Sequence, residues 1–209
     1  MSRSMAVERR RRMAEPALRR MTLDEFLDWD DGTDTRYELV GGFAWAMASP
    51  MPGHGTLTIA LGGELRAALR ARPPCRAIAE AGIVLPDRDD TYYVADIACI
   101  CEPLRANQRL IADPVLIVEV LSPSTAAWDR QTKAADYRRI PSVQEILLID
   151  SESLFAEVWR RDGERWITEI VRGGDATFAL ASVNLTIPLA ELYEGIPLPE
   201  PRRPLAGSS

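Results

Sequence analysis

The stretch Val115-Leu-Ile-Val-Glu-Val-Leu121 constrains the fold more than any other part of the chain. It is apolar except for Glu119, which is how a strand buried on both faces reads. Ser122-Pro-Ser-Thr125 follows, where Ser124 or Thr125 can cap a helix over about 126–139. Val143–Asp150 (VQEILLID) then reads as a second buried strand. Strand, helix and strand in that order predict a right-handed parallel crossover.

The flanking segments supply the remaining layers. Thr22-Leu-Asp-Glu25 is a capping box that opens a short helix over 22–29. Arg36–Val40 and Phe43–Ala48 flank Gly41-Gly42 as a hairpin. Ser49–Gly55 reads as a loop, and Leu57, Leu61, Leu65 and Leu69 mark a helix over 56–71. Arg76–Leu85 and Tyr92–Cys101 are strands joined by a turn at Pro86–Asp90. Leu154–Arg160 and Arg165–Val171 form a C-terminal hairpin about Asp162-Gly163. Short strands near 176–179 and 183–187 and a helix over 188–193 complete a mixed α/β chain.

Charge is unevenly spread. Residues 1–20 hold seven Arg and two Glu, a net of +5, so residues 21–209 carry −11 of the total −6. A body that acidic is not a constitutive nucleic-acid coat. The basic segment reads as an extension, and 196–209 as a Pro-rich tail, around one domain over 21–195. No run approaches ~18 apolar residues, so no membrane span is expected. The first twenty residues lack an apolar signal core. Three cysteines make no disulfide scaffold, and a reducing cytoplasm is the expected compartment. Cys99 and Cys101 alternate along a strand and are expected on one face, in the core.

Two carboxylates sit where a carboxylate is expensive. Glu119 interrupts the apolar stretch, and Asp96 lies inside Tyr92-Tyr-Val-Ala-Asp-Ile-Ala-Cys-Ile100. A buried acid needs a cation, a partner or a proton. Two of them in adjacent strand patterns point to a shared cation, either Lys133 or a divalent metal. Lys133 is the only lysine among 25 basic residues. Lysine is a compact point charge that can approach one oxygen, which the arginine fork does less well. Asp129, Lys133 and Tyr137 are four apart and share one helix face. The plainer alternatives are a surface Asp129–Lys133 ion pair and a lysine left over from an arginine-biased composition. His54, the only histidine, either contacts a phosphate or makes a hydrogen bond at a helix start. Alone it cannot complete a zinc site with Cys99 and Cys101.

Tyr37-Glu-Leu-Val-Gly-Gly42, Ser49-Pro…His54, Ala95-Asp-Ile97, Val118-Glu-Val-Leu-Ser-Pro-Ser124, Asp129…Lys133…Tyr137 and Leu148-Ile-Asp150 together resemble the Uma-two family of the PD-(D/E)XK restriction-endonuclease-like superfamily. The resemblance covers about residues 21–195. It implies an α/β restriction-endonuclease-like αβββαβ core with a mixed central sheet, plus the C-terminal hairpin as an extension. It implies an endonuclease hydrolysing phosphodiester bonds in DNA, with Asp96, Glu119 and the Val120 carbonyl holding Mg²⁺ or Mn²⁺ and Lys133 as the third catalytic group. Ala95 replaces the motif proline, and Leu121 stands where the simple Glu-X-Lys pattern has its lysine. The lysine role moves to Lys133 on the following helix. Glu38 and Glu80 are further acids that such a site could use, with His54, Asp129 and Tyr137 as accessory groups. A homodimer packed through Phe155, Val158, Trp166 and Ile167 is expected, because superfamily members that cut both strands often work in pairs. The alternative is a degenerate member that binds nucleic acid or a protein without cutting.

Overall fold

A computed structural model of the chain describes residues 19–199. The expected basic extension and Pro-rich tail, apart from residues 19–20 and 196–199, lie outside the described residues. The chain forms two compact units. The described part of the first comprises residues 19–48 and 89–92; the second comprises 49–88 and 93–199.

In the first unit, α1 (Leu23–Leu27) starts at the capping box: Glu25 N–H donates to Thr22 Oγ1 (3.3 Å), and Thr22 N–H donates to Glu25 Oε2 (2.9 Å). β1 (Tyr37–Val40) and β2 (Phe43–Ala46) form the expected hairpin. Gly41 and Gly42 both take positive φ, +58° and +87°, as a tight two-residue hairpin turn demands. Leu39 pairs with Tyr92, and Met21, Phe26, Leu39 and Ala44 form a small core.

The second unit contains the αβββαβ order. α2 (Pro52–Leu69) is followed by β3 (Arg76–Val84), β4 (Tyr92–Ile100, in this unit from Tyr93) and β5 (Pro114–Leu121). A short helical segment follows: α3 (Ala126–Trp128), a π-helical turn (Asp129–Lys133) and α4 (Ala134–Tyr137). β6 (Glu145–Asp150) then returns parallel to β5, as the crossover predicts, with Glu119 opposite Leu148. β7 (Phe155–Asp162) and β8 (Arg165–Arg172) extend the sheet as an antiparallel hairpin. β9 (Thr177–Leu180) and β10 (Leu185–Pro188) form a separate ribbon, followed by α5 (Leu189–Leu192). The αβββαβ core with a mixed sheet and a C-terminal hairpin is therefore present.

Alternation along the central strands divides their side chains between two faces. Val118, Val120, Leu147, Ile149, Ala156 and Val158 face a core built with Leu57, Leu61, Leu65 and Leu69 of α2 and with the C-terminal ribbon. The opposite face of β5 carries Glu119 towards the π-containing helix. No helix among the described residues is long and apolar enough to cross a membrane.

Three local expectations change. α2 begins at Pro52, within the segment read as a loop, because proline is well suited to a first helical position. His54 therefore lies in the first turn of α2. Cys75 and Cys101 are joined in a disulfide, while Cys99 stays free and buried. β4 ends at Ile100, so the alternation that would pair the two sulfurs on one core face does not reach Cys101. Val158 is fully buried in its own chain's core and cannot pack across a two-fold.

Candidate active site

The site lies where β4 and β5 stop pairing. Their antiparallel register runs from Ile100–Pro114 to Ile97–Val118. Asp96 and Glu119 are the next residues on the two strands. The Val120 N–H donates to Asp96 Oδ2 at 2.7 Å, so a carboxylate takes a main-chain donor at the end of the ladder. Glu119 is 2% exposed, so its carboxyl is withdrawn from bulk solvent.

The helix after β5 covers Glu119. Ala126 N–H donates to Ser122 O, and Thr125 Oγ1 bonds back to Ser122, so the SPST segment turns the chain directly from strand into helix. The π-helical turn that follows contains Asp129 and Lys133, both buried. Such turns insert a residue into a helix and recur at functional sites. Lys133 Nζ lies 3.4 Å from Glu119 Oε1, 3.4 Å from the Val94 carbonyl and 3.8 Å from Asp129 Oδ1. Tyr137 donates its hydroxyl to Glu119 Oε1 at 2.6 Å. The reading of Asp129–Lys133 as a surface ion pair is overturned: both side chains are inside, and the lysine reaches a second carboxylate.

Two carboxylates, Glu119 and Asp129, thus lie within 4 Å of one ammonium. Burial is the largest influence on Glu119 and pushes its pKa up to about 8. Lys133 opposes that shift, the charges on Asp96 and Asp129 reinforce it, and the Tyr137 hydrogen bond opposes it. His54 Nε2 sits 3.4 Å from Asp96 Oδ2. Burial disfavours its charged form, but the Asp96 carboxylate, the Val120 main chain and the more distant Asp129 outweigh it and raise the pKa. His54 thus stands in the site from α2, where the accessory position implied by the resemblance takes the form of a contact with Asp96.

Two residues of the constellation gave no signal in the sequence. Tyr93 donates to Asp136 Oδ2 at 2.7 Å, and its ring stands edge-on to Tyr137, 5.8 Å between centroids. Lys133 Nζ lies 5.8 Å from the same ring. Regular alternation puts Tyr93 and Ile97 on one face, yet Ile97 packs in the α2 core and Tyr93 packs on Tyr137. The strand changes face between them, which a period of two cannot reveal. Of the remaining expected acids, Glu80 is exposed on β3 at φ +52°. Glu38 is buried on β1 of the first unit, opposite Trp45.

Glu145 shows what a purely structural buried carboxylate looks like here. It accepts from Arg160 Nε (3.0 Å), Ala181 N (3.1 Å), Ser182 N (2.8 Å) and Ser182 Oγ (2.6 Å). Its charge is answered by four donors, whereas Glu119 shares the Lys133 ammonium with Asp129.

The donor chemistry at the strand ends suits a hard divalent cation. Among the described residues no three His, Cys, Asp or Glu side chains gather as a metal cluster. Asp96, Glu119 and the Val120 carbonyl offer only oxygen, and too few atoms to replace a full hydration shell. That is the donor set of an ion such as Mg²⁺, which keeps several waters and takes one or two carboxylates. The hydrogen bonds above engage Oδ2 of Asp96 and Oε1 of Glu119, so Oδ1 and Oε2 are the atoms to consider as ligands.

Comparison with known proteins agrees with this fold. Residues 23–190 match the Uma2 family model, described as "Putative restriction endonuclease". A crystal structure from Anabaena variabilis, described as a "putative nuclease belonging to DUF820", superposes with a TM-score of 0.70 at 21% identity, covering 83% of this chain and 98% of that one. Two proteins of Synechocystis, both called uncharacterized, are similar in sequence. One is 26% identical over 180 residues, 85% of this chain and 93% of its own. The other is 28% identical over 169 residues, 79% of this chain and 95% of its own.

Proposed function

The chain belongs to the Uma2 family, and from that premise we propose that it is a metal-dependent endonuclease that hydrolyses phosphodiester bonds in DNA. The observation that carries this reading is the meeting of the chain's only lysine with Glu119, beside Asp96 at the end of the β4–β5 ladder. Asp96, Glu119 and the Val120 carbonyl would hold Mg²⁺ or Mn²⁺. Such an ion supplies charge neutralisation at a phosphate and a lowered pKa for water.

The chain's own residues supply the rest. Tyr137 holds one oxygen of Glu119 and so fixes the direction of the other. The Val120 N–H does the same for Asp96, and His54 stands against the same oxygen. Lys133 carries three donors on one nitrogen. Glu119, Val94 O and Asp129 position that nitrogen, and donation to a phosphate oxygen or a water takes the place of one of these contacts. A fixed cation aimed at developing negative charge acts without reorganising during the reaction.

The test is cleavage of supercoiled and linear DNA with Mg²⁺ or Mn²⁺, by the parent and by Glu119→Gln. Metal-dependent cutting by the parent alone supports the reading. No cutting by the parent, or equal cutting by Glu119→Gln, overturns it.

A further inference from the structure

The second unit carries a face that the site chemistry does not use. On the side of the sheet that bears the π-containing helix, β7 and β8 place Phe155 opposite Arg172 and Arg161 opposite Trp166. Each aromatic ring there is covered by guanidinium. Arg130 and Arg172 lie 5.8 Å and 5.1 Å from the centre of the Phe155 ring. Arg138 lies 4.9 Å from the Trp159 ring, and Arg161 lies 4.6 Å from the Trp166 ring.

The charge of this face runs against that of the chain. Of its four arginines, Arg130 pairs with Glu157 at 2.6 Å and Arg161 donates to the main-chain carbonyls of Val143, Arg138 and Ile140, so the track rests on Arg138 and Arg172. Residues 21–209 as a whole carry −11. Two of these arginines belong to the site's own helical segment: Arg130 follows Asp129 and Arg138 follows Tyr137. A guanidinium resting on a ring has surrendered much of its rotational freedom, so less is lost when its edge binds an oxyanion. The rings are occupied by these stacks and are not free platforms for bases.

We propose that this arginine–aromatic face is a docking track for the phosphate backbone of duplex DNA, leading the strand from the β7–β8 hairpin to the Glu119–Lys133 site. The proposal rests on the nuclease reading for its direction, not for the binding itself. Phosphate contacts position a duplex without reading its sequence. The track therefore binds unrelated duplexes equally.

The test is fluorescence anisotropy with a labelled 20-base-pair duplex, in EDTA, as a function of salt. Arg138→Glu/Arg172→Glu should bind at least tenfold more weakly than the parent, and its log–log salt slope should fall by about two, roughly one per phosphate contact. Arg66→Glu/Arg70→Glu, on the exposed side of α2, makes the same charge change and should bind within about twofold of the parent. If the first variant melts early by circular dichroism, Arg172→Gln alone should still lower the slope by about one. Parent-like binding by the arginine variants, or equal weakening by the α2 control, overturns the proposal. So does a parent dimer that these substitutions dissociate without changing DNA affinity, because the face then seats a second copy. A parent that binds through these arginines yet never cuts leaves this inference standing and removes the nuclease reading. A parent that cuts without using them does the reverse.

Discussion

Lys133 Nζ lies 3.4 Å from Glu119 Oε1, and both side chains are less than a tenth exposed. Burying one of these charges alone would be costly, and the pair is retained where two further acids, Asp96 and Asp129, add negative charge. The ammonium is thus the cation around which the site is built, and its geometry can be challenged directly.

Lys133→Arg keeps the charge but replaces a point donor with a planar fork in a filled space. Loss of one well-placed transition-state contact is worth about two to three decades in rate. DNA cleavage should fall by that much while the melting temperature stays within a few degrees. Parent-like cleavage by this variant would return the single lysine to coincidence.

Asp96→Asn should abolish Mn²⁺ binding in a calorimetric titration, since it removes an anionic oxygen from the donor set. The fold should survive, because the asparagine carbonyl can still accept the Val120 N–H. Undiminished Mn²⁺ affinity would place the metal elsewhere.

Tyr137→Phe deletes the 2.6 Å hydrogen bond that holds Glu119 and opposes its raised pKa. A group that orients a metal ligand typically contributes 10–100-fold to metal affinity. Mn²⁺ should bind about 10–100-fold more weakly at pH 7, with part of the loss recovered at pH 9, where Glu119 ionises more completely. An identical metal isotherm would show that the hydroxyl is only filling space.

The pH dependence of stability follows from Glu119. Its folded pKa of about 8 lies above the ordinary glutamate value of 4.5, so the folded chain holds this proton more tightly than the unfolded chain. Its contribution is fully present below pH 4.5 and is lost as pH rises through 8. The metal-free parent should therefore melt lower at pH 8.5 than at pH 6, and Glu119→Gln should flatten that difference. His54 acts in the same direction, so a residual slope is expected in the variant. An unchanged slope after Glu119→Gln would mean that Glu119 titrates normally.

The amino-acid sequence by itself indicated the layers and pointed to Asp96, Glu119 and Lys133. An apolar run broken by one glutamate reads as a buried strand with a buried carboxyl, and a lone lysine on the next helix is within reach of it. A spacing of four aligned Asp129, Lys133 and Tyr137, because helix periodicity is local. Only the tertiary structure decided how those groups meet. The π-helical turn, the change of face between Tyr93 and Ile97, and the contact of His54 with Asp96 depend on packing between segments far apart in the chain. The same holds for Cys101, whose partner Cys75 lies beyond the reach of any strand alternation. The arginine–aromatic face is of this kind too. Arg130 and Arg138 come from a helix and Phe155 and Trp159 from a strand, and only the folding of one over the other puts positive charge on that side of an acidic protein.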